Sequence, residues 1–262
     1  GQQATPEFFQ TKGHNPLPSR GPLAAITVPG VVDGWHQLHQ RYGKLPWKSL
    51  FQPAIEHAGG FPLTPKFADY IAGYASTLQP YESTAQIFLP DGRPVMTGPI
   101  LPQPEPADSF SMIAEGGADI FYRGKLGEKI VRGLQSAGGI LTTDDFAAHT
   151  SDWVEPLRTT YRGYEVTELP PNTQGIATLM ILNILENFDL PAIGEGSAGY
   201  YHLIAEAIKL AFADRDRWVT DPTFIDIPVE RLLSKEYASQ RASQIDMQRA
   251  TPDDQLAPGL DG

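Results

Sequence analysis

Proline and glycine interrupt this chain so often that its elements must be short. It carries 24 prolines and 25 glycines in 262 residues. Proline breaks both helix and sheet ladders, and glycine favours bends, so such a chain reads as many brief elements joined by turns. The prolines do not gather into one linker. Their densest run, residues 90–106, contains Pro90, Pro94, Pro99, Pro102, Pro104 and Pro106. It reads either as an extended surface connection between two halves or as a meandering loop within one domain.

Between these interruptions the apolar spacing is mostly helical. Residues 31–42 place Val32, Trp35, Leu38, His39 and Tyr42 at helical intervals. Residues 47–58 do the same with Leu50, Phe51, Ala54, Ile55 and Ala58, then stop at Gly59 and Gly60. Pro53 inside that segment predicts a kink or a later start. Further helices are expected over 109–116 and 125–137, the second stopped by Gly138 and Gly139. Thr142 or Thr143 caps a short helix whose first turn holds Asp144 and Asp145, where carboxylates suit the helix dipole. Residues 158–169 read as two short strands broken at Arg162 and Gly163. A loop, 170–175, then opens an apolar helix over 176–188. Ser197 caps a long helix to Trp218, with Tyr201, Ile204, Ala205, Ile208 and Ala211 as its expected core stripe. One more helix is expected over 229–241, followed by a polar tail.

Charge and composition narrow the function. The formal net charge is -11 and hydrophobic residues make up 41%, so the chain is globular and nucleic acid is disfavoured as a partner. Without cysteine there is no disulfide, thiolate metal site or cysteine nucleophile, and either redox compartment is open. No apolar run approaches the roughly 18 residues of a membrane span.

Several local patterns suggest chemistry and are better explained otherwise. Gly194, Gly196 and Gly199 spell G-x-G-x-x-G, but no strand precedes them, so a helix-to-helix turn is expected in place of a dinucleotide site. His36 and His39 share a helix face without a third ligand, and read as an interfacial pair beside Trp35. Asp214, Asp216 and Asp221 alternate with Arg215 and Arg217, which favours a local ion-pair network over a cation site. No metal or organic cofactor is expected. The residues alone assemble no complete catalytic constellation.

Taken together and in order, five segments resemble the γ-glutamyltransferase family, also called glutathione hydrolases. They are residues 21–30 (GPLAAITVPG), 52–58 (QPAIEHA), 118–124 (ADIFYRG) leading to 138–146 (GGILTTDDF), 161–166 (YRGYEV) with the following loop and 181–188 (ILNILENF), and 205–215 (AEAIKLAFADR) ending at Asp221 and Pro222. The resemblance implies an α/β fold, the four-layer αββα sandwich of N-terminal nucleophile hydrolases. This chain would supply mainly helices and a few strands, as the large-subunit portion, 1–262, of a domain shared with a small subunit. It implies a precursor that cuts itself just after Gly262, with Asp261 and Gly262 as processing residues. The new N-terminal Thr on the partner would be the nucleophile, activated by its own α-amino group.

No catalytic residue is then expected in this chain, and the family's carboxylate-gripping Arg would precede Gly1. The tail before the cut is expected to be unpacked, free to swing away. The implied reaction is amide cleavage through an acyl-enzyme, by default γ-glutamyl transfer or glutathione hydrolysis. An oxamate-type amidohydrolase or a cephalosporin acylase is the alternative on the same scaffold, and a non-catalytic helical scaffold the alternative of another class. Asn172, Thr173 and Gln174 precede a helix N-terminus, which suits anionic groups. They are candidates for the small amide substrate, or simply caps of that helix.

Overall fold

The computed structural model describes residues 2–24 and 26–260. The chain divides into two units, residues 1–151 and 152–262.

In the first unit the elements are α1 (Pro6–Thr11), α2 (Val31–Tyr42), α3 (Trp47–Gly59), β1 (Phe61–Pro62), α4 (Pro65–Gly73), α5 (Ala75–Leu78), α6 (Glu82–Phe88), β2 (Ile100–Leu101), α7 (Pro104–Tyr122), α8 (Lys125–Ser136) and α9 (Thr143–Ala147). The strands β1 and β2 pair antiparallel. The core joins Val32 of α2, Phe51 of α3, Ile113, Ala118 and Tyr122 of α7, Leu126 and Val131 of α8, and Phe146 of α9. Two polar side chains fix its edges. Trp47 Nε1 donates to the Ile113 carbonyl at 3.0 Å. The Tyr122 hydroxyl donates to Pro29 O at 2.7 Å and accepts from Asp33 N at 3.1 Å.

Two expectations change here. α3 does not start late: it runs through Pro53, held by Phe51 and Ile55 against the α7 side of the core. The helix expected over 109–116 begins earlier and ends later, because Pro104 sits in the first turn, where its missing N–H costs nothing. Gly117, at φ 65°, interrupts it without ending it. Residues 90–106 all fall inside the first unit, as a 3₁₀ turn at Pro90–Gly92, an irregular stretch, β2 and the start of α7.

The second unit comprises β3 (Leu157–Tyr161), β4 (Tyr164–Glu168), α10 (Gly175–Leu185), α11 (Leu190–Ile193), α12 (Ala198–Trp218), α13 (Val229–Leu232) and α14 (Lys235–Ala242). β3 and β4 form a hairpin with Tyr161 opposite Tyr164. Its two turn residues, Arg162 at φ 50° and Gly163 at φ 88°, take the positive-φ pair that matches strand twist. The core joins Ile176, Met180 and Ile184 of α10, Leu203, Ala207 and Leu210 of α12, and Tyr237 and Ala238 of α14. α10 therefore buries its apolar surface within this unit, and does not leave it open for a partner.

A buried amide ties three elements together. Asn183 is fully buried; its Oδ1 accepts from Thr159 Oγ1 at 2.7 Å and Lys235 Nζ at 2.6 Å, and its Nδ2 donates to Leu233 O at 3.0 Å. Lys235 also reaches Glu186 at 2.5 Å. Its hydrogen bond, followed by one from the Arg162 backbone, holds the Glu186 carboxyl below the usual range.

Two more expectations are corrected. The helix expected over 229–241 is two helices, because Ser234 caps α14 by accepting from Tyr237 N. The buried face of α12 is not the expected stripe. Tyr201 and Ala205 are exposed and Ile204 and Ile208 half-buried; Ala211 of that stripe is buried, together with Leu203, Glu206, Ala207, Leu210 and Asp214. The buried face is rotated because Glu206 and Asp214 are paired inside.

Candidate functional site

Residues 170–175 join β4 to α10. Gly175 lets the Glu168 side chain lie flat on the backbone: a Cβ there would stand 2.6 Å from Glu168 Oε2. A carboxylate thus rests against the first turn of α10, where free N–H groups favour negative charge. Asn172, Thr173 and Gln174 are all exposed. Gln174 occupies the N-cap position with no side-chain hydrogen bond to the helix. Thr173 Oγ1 donates backwards, to Leu169 O and Pro170 O at 3.0 Å each. Gln174 Oε1 instead accepts from Arg215 Nη1 at 3.1 Å. Arg215 is itself fixed: it donates to Asp216 Oδ1 through Nε at 2.8 Å and Nη2 at 2.6 Å, and its guanidinium lies 3.8 Å from the Phe212 ring centroid. The loop therefore presents polar side chains to solvent, one of them positioned by a guanidinium.

The tail forms a second arrangement on the same helix. Glu206, 2% exposed, accepts from Thr251 N at 3.1 Å and from Lys209 Nζ at 2.9 Å. Burial alone would raise its carboxyl, but the hydrogen bonds from Thr251 and Lys209 outweigh it and hold it below the usual range. Two turns on, Asp214 pairs with Arg241 at 3.2 Å, with side chains 1% and 2% exposed. Asp214 Oδ1 accepts from Gly259 N at 2.7 Å. Arg241 Nη2 donates to Leu210 O at 2.8 Å and Ala257 O at 3.1 Å. Beside them burial, then the Asp214 carboxylate, push the Tyr237 phenol well above its usual range. The expectation of an unpacked tail is thereby corrected up to Leu260: Leu256 and Leu260 pack on the core, and the backbone is gripped by buried charges. Asp261 and Gly262, the expected processing residues, lie outside the described residues.

The remaining candidates resolve locally. Gly194 and Gly196, at φ 87° and 77°, turn the chain between α11 and α12, as expected of a helix-to-helix turn. His36 and His39 lie edge-on to Trp47, at 5.4 and 5.3 Å, and His39 Nε2 is 2.7 Å from Leu45 O. Asp145 completes a capping box with Thr142. The expected Asp–Arg network is only Arg215 with Asp216, since Asp214 turns inward and Asp221 closes its own turn on Thr223 at 2.7 Å. Among the described residues no group of three or more His, Asp or Glu is placed to hold a metal, and no helix is long and apolar enough to cross a membrane.

Comparison with known proteins gives this arrangement its context. The family model for gamma-glutamyltranspeptidase matches residues 1–259. The chain belongs to the γ-glutamyltranspeptidase family. Within that family it is 43% identical over 246 residues to the glutathione hydrolase-like YwrD proenzyme of Bacillus subtilis, covering 94% of this chain and 46% of that protein. It is 37% identical over 262 residues to the glutathione hydrolase proenzyme of Escherichia coli, covering 98% and 45%. The chain thus spans about half the length of these relatives. The crystal structure of cephalosporin acylase from Bacillus halodurans superposes with a TM-score of 0.85 at 36% identity, over 92% of this chain and 46% of that one. The expected fold class stands: this chain is folded as the matching portion of an N-terminal nucleophile hydrolase of this family, mainly helical with few strands. Its own strands form two small antiparallel pairs.

What local reading missed at the site is long-range. Arg215 was read with its neighbours and not with Gln174, 41 residues away. Arg241 was not singled out at all, because nothing near it in sequence marks it as the partner of Asp214.

Proposed function

We propose that this chain is the large-subunit portion of a self-processed amide hydrolase and acyltransferase. The nucleophile is a Thr further along the same polypeptide that becomes the N-terminus of a small subunit. The observation that carries this reading is the match along nearly the whole chain to proteins named as proenzymes, at 43% and 37% identity, each about twice as long. In the reaction the Thr hydroxyl adds to the amide carbonyl, the amine departs with a proton, and the acyl ester passes to water or to an acceptor amine. The default acyl group is γ-glutamyl.

Asn172, Thr173 and Gln174 line the approach to the nucleophile, with Gln174 held by Arg215. That positioned side chain suits recognition of a small acyl group, and the Glu168 carboxylate against α10 disfavours anions at the helix end itself. A second chain as partner is supported by side chains left open on the first unit. Leu38 is 51% exposed and Leu50 46%, and exposed apolar side chains of this kind suit a covering partner. The net charge of -11 argues against nucleic acid as a partner.

The cephalosporin acylase likeness, at TM-score 0.85, favours a second reading: cleavage of a different small acyl amide by the same Thr chemistry. The two are separated by offering glutathione, an oxamate-type amide and a cephalosporin side-chain amide to the complete enzyme. The γ-glutamyl reading predicts the highest kcat/KM on glutathione, and a strong preference for either other amide replaces it with the second. No turnover of any amide by the cut enzyme leaves the scaffold alternative.

A further inference from the structure

We infer that Asp214 and Arg241 form a seat for residues 257–259, and that this seat sets the rate at which the polypeptide cuts itself further along. The inference rests on the processing reaction proposed above and assigns two positioning residues to it.

A tail that merely covered a core would be held by apolar side chains, as Leu256 and Leu260 already do. Residues 257–259 are held differently. Asp214 takes the Gly259 N–H at 2.7 Å, and Arg241 gives one nitrogen to both Ala257 O at 3.1 Å and Leu210 O at 2.8 Å. Burying two charges is a poor way to gain stability, because desolvation offsets most of their attraction; what it fixes is one geometry. Eight residues earlier, Glu206 and Lys209 hold Thr251. The tail is thus gripped at both ends of 251–259 from the single rigid helix α12.

Gly259 shows how close the fit is. Its φ lies outside the left-handed region, so glycine is required there by space alone. A Cβ would overlap the Tyr237 hydroxyl and stand 2.8 Å from Arg241 Cδ. That hydroxyl is buried between the Asp214 carboxylate and the Gly259 backbone, so it has no free space to move into. A cut further along the polypeptide takes its geometry from this backbone, and misplacement by ~1 Å costs on the order of 10²-fold in a positioned reaction.

The test uses the full polypeptide, this chain with its natural continuation, and follows the uncut fraction on denaturing gels. Gly259→Ala is expected to slow cutting at least ~10-fold. Adding Tyr237→Phe removes the overlapping oxygen but not the Arg241 Cδ contact, and is expected to recover a part of the lost rate, at least about threefold. A purely structural role for the tail predicts no such rescue. Should Gly259→Ala fail to fold, Arg241→Lys keeps the buried charge, gives up the Nη2 hydrogen bonds to Ala257 O and Leu210 O, and is expected to slow cutting by a similar factor. Wild-type rates in whichever variant folds, or a double variant as slow as Gly259→Ala, overturn the seat while leaving the processing reading intact. A wild-type polypeptide that stays whole overturns both.

Discussion

Replacing Asn183 by Leu is expected to cost far more than its change in size. The side chain is fully buried and makes three hydrogen bonds, to Thr159, Lys235 and Leu233. Leu fills nearly the same volume, so no large cavity forms. Lys235 retains Thr160 O and Glu186 as partners. The Thr159 hydroxyl, on a residue 9% exposed, and the Leu233 carbonyl both lose theirs. An unmet buried polar group costs about 1–3 kcal/mol; the Thr159 hydroxyl carries that in full and the half-buried Leu233 carbonyl less, so the sum is ~1–4 kcal/mol, less ~1 kcal/mol from the added apolar burial. Thr159→Val removes only the donor, leaves Asn183 bonded to Lys235 and Leu233, and is expected to cost under ~1 kcal/mol. In the double variant the stranded hydroxyl is gone, and ~1–2 kcal/mol should return. Urea titrations of the four proteins give the cycle. The reasoning fails if Asn183→Leu costs less than Thr159→Val, or if the double variant recovers nothing.

Two further outcomes follow from the same geometry. Hydrogen bonds hold the folded-state pKa values of Glu206 and Glu186 below the ordinary glutamate value of 4.5, so their contribution to stability is fully present above that value and is lost as pH falls through the depressed one. The melting temperature should therefore drop as the solution is acidified below about 4.5, and Glu206→Gln should flatten that drop; an unchanged acid profile in the variant contradicts the assignment. Gln174→Ala should alter KM or acyl selectivity and leave self-cleavage intact. Because Gln174 makes no cap bond to α10, its removal should move stability by no more than ~0.5 kcal/mol, whereas a loss of ~1 kcal/mol with unchanged kinetics would make it a cap after all.

How much of this was legible in the sequence depends on range. Features set by neighbouring residues were readable: the Thr142 and Asp145 box, the Ser197 cap, the Arg162 and Gly163 turn, and the glycine turn before α12. The Ser234 cap was equally local, yet the apolar spacing across it hid the break between α13 and α14. Pro104 and Pro106 were read as connection because proline signals both a loop and a first helical turn, and composition alone does not separate the two. The face of α12 was misplaced for a deeper reason. Hydrophobic periodicity treats every carboxylate as outward, whereas Glu206 is neutralised by Lys209 and Asp214 by Arg241. The partner of Asp214 lies a helix away, and no local rule pairs them. The tail was misread for the same cause: its composition is polar and proline-rich, but its backbone is held by those buried charges.

The central claim is that this chain is the large-subunit portion of a polypeptide that cuts itself. The most direct measurement is the intact mass and N-terminal sequence of the products when the chain is expressed with its natural continuation and left to mature. The account predicts two chains that remain associated, the second beginning with Thr, with Thr→Ala at that position leaving the polypeptide whole. A wild-type product that stays a single chain, or a second chain that begins with a residue lacking a hydroxyl, would contradict it.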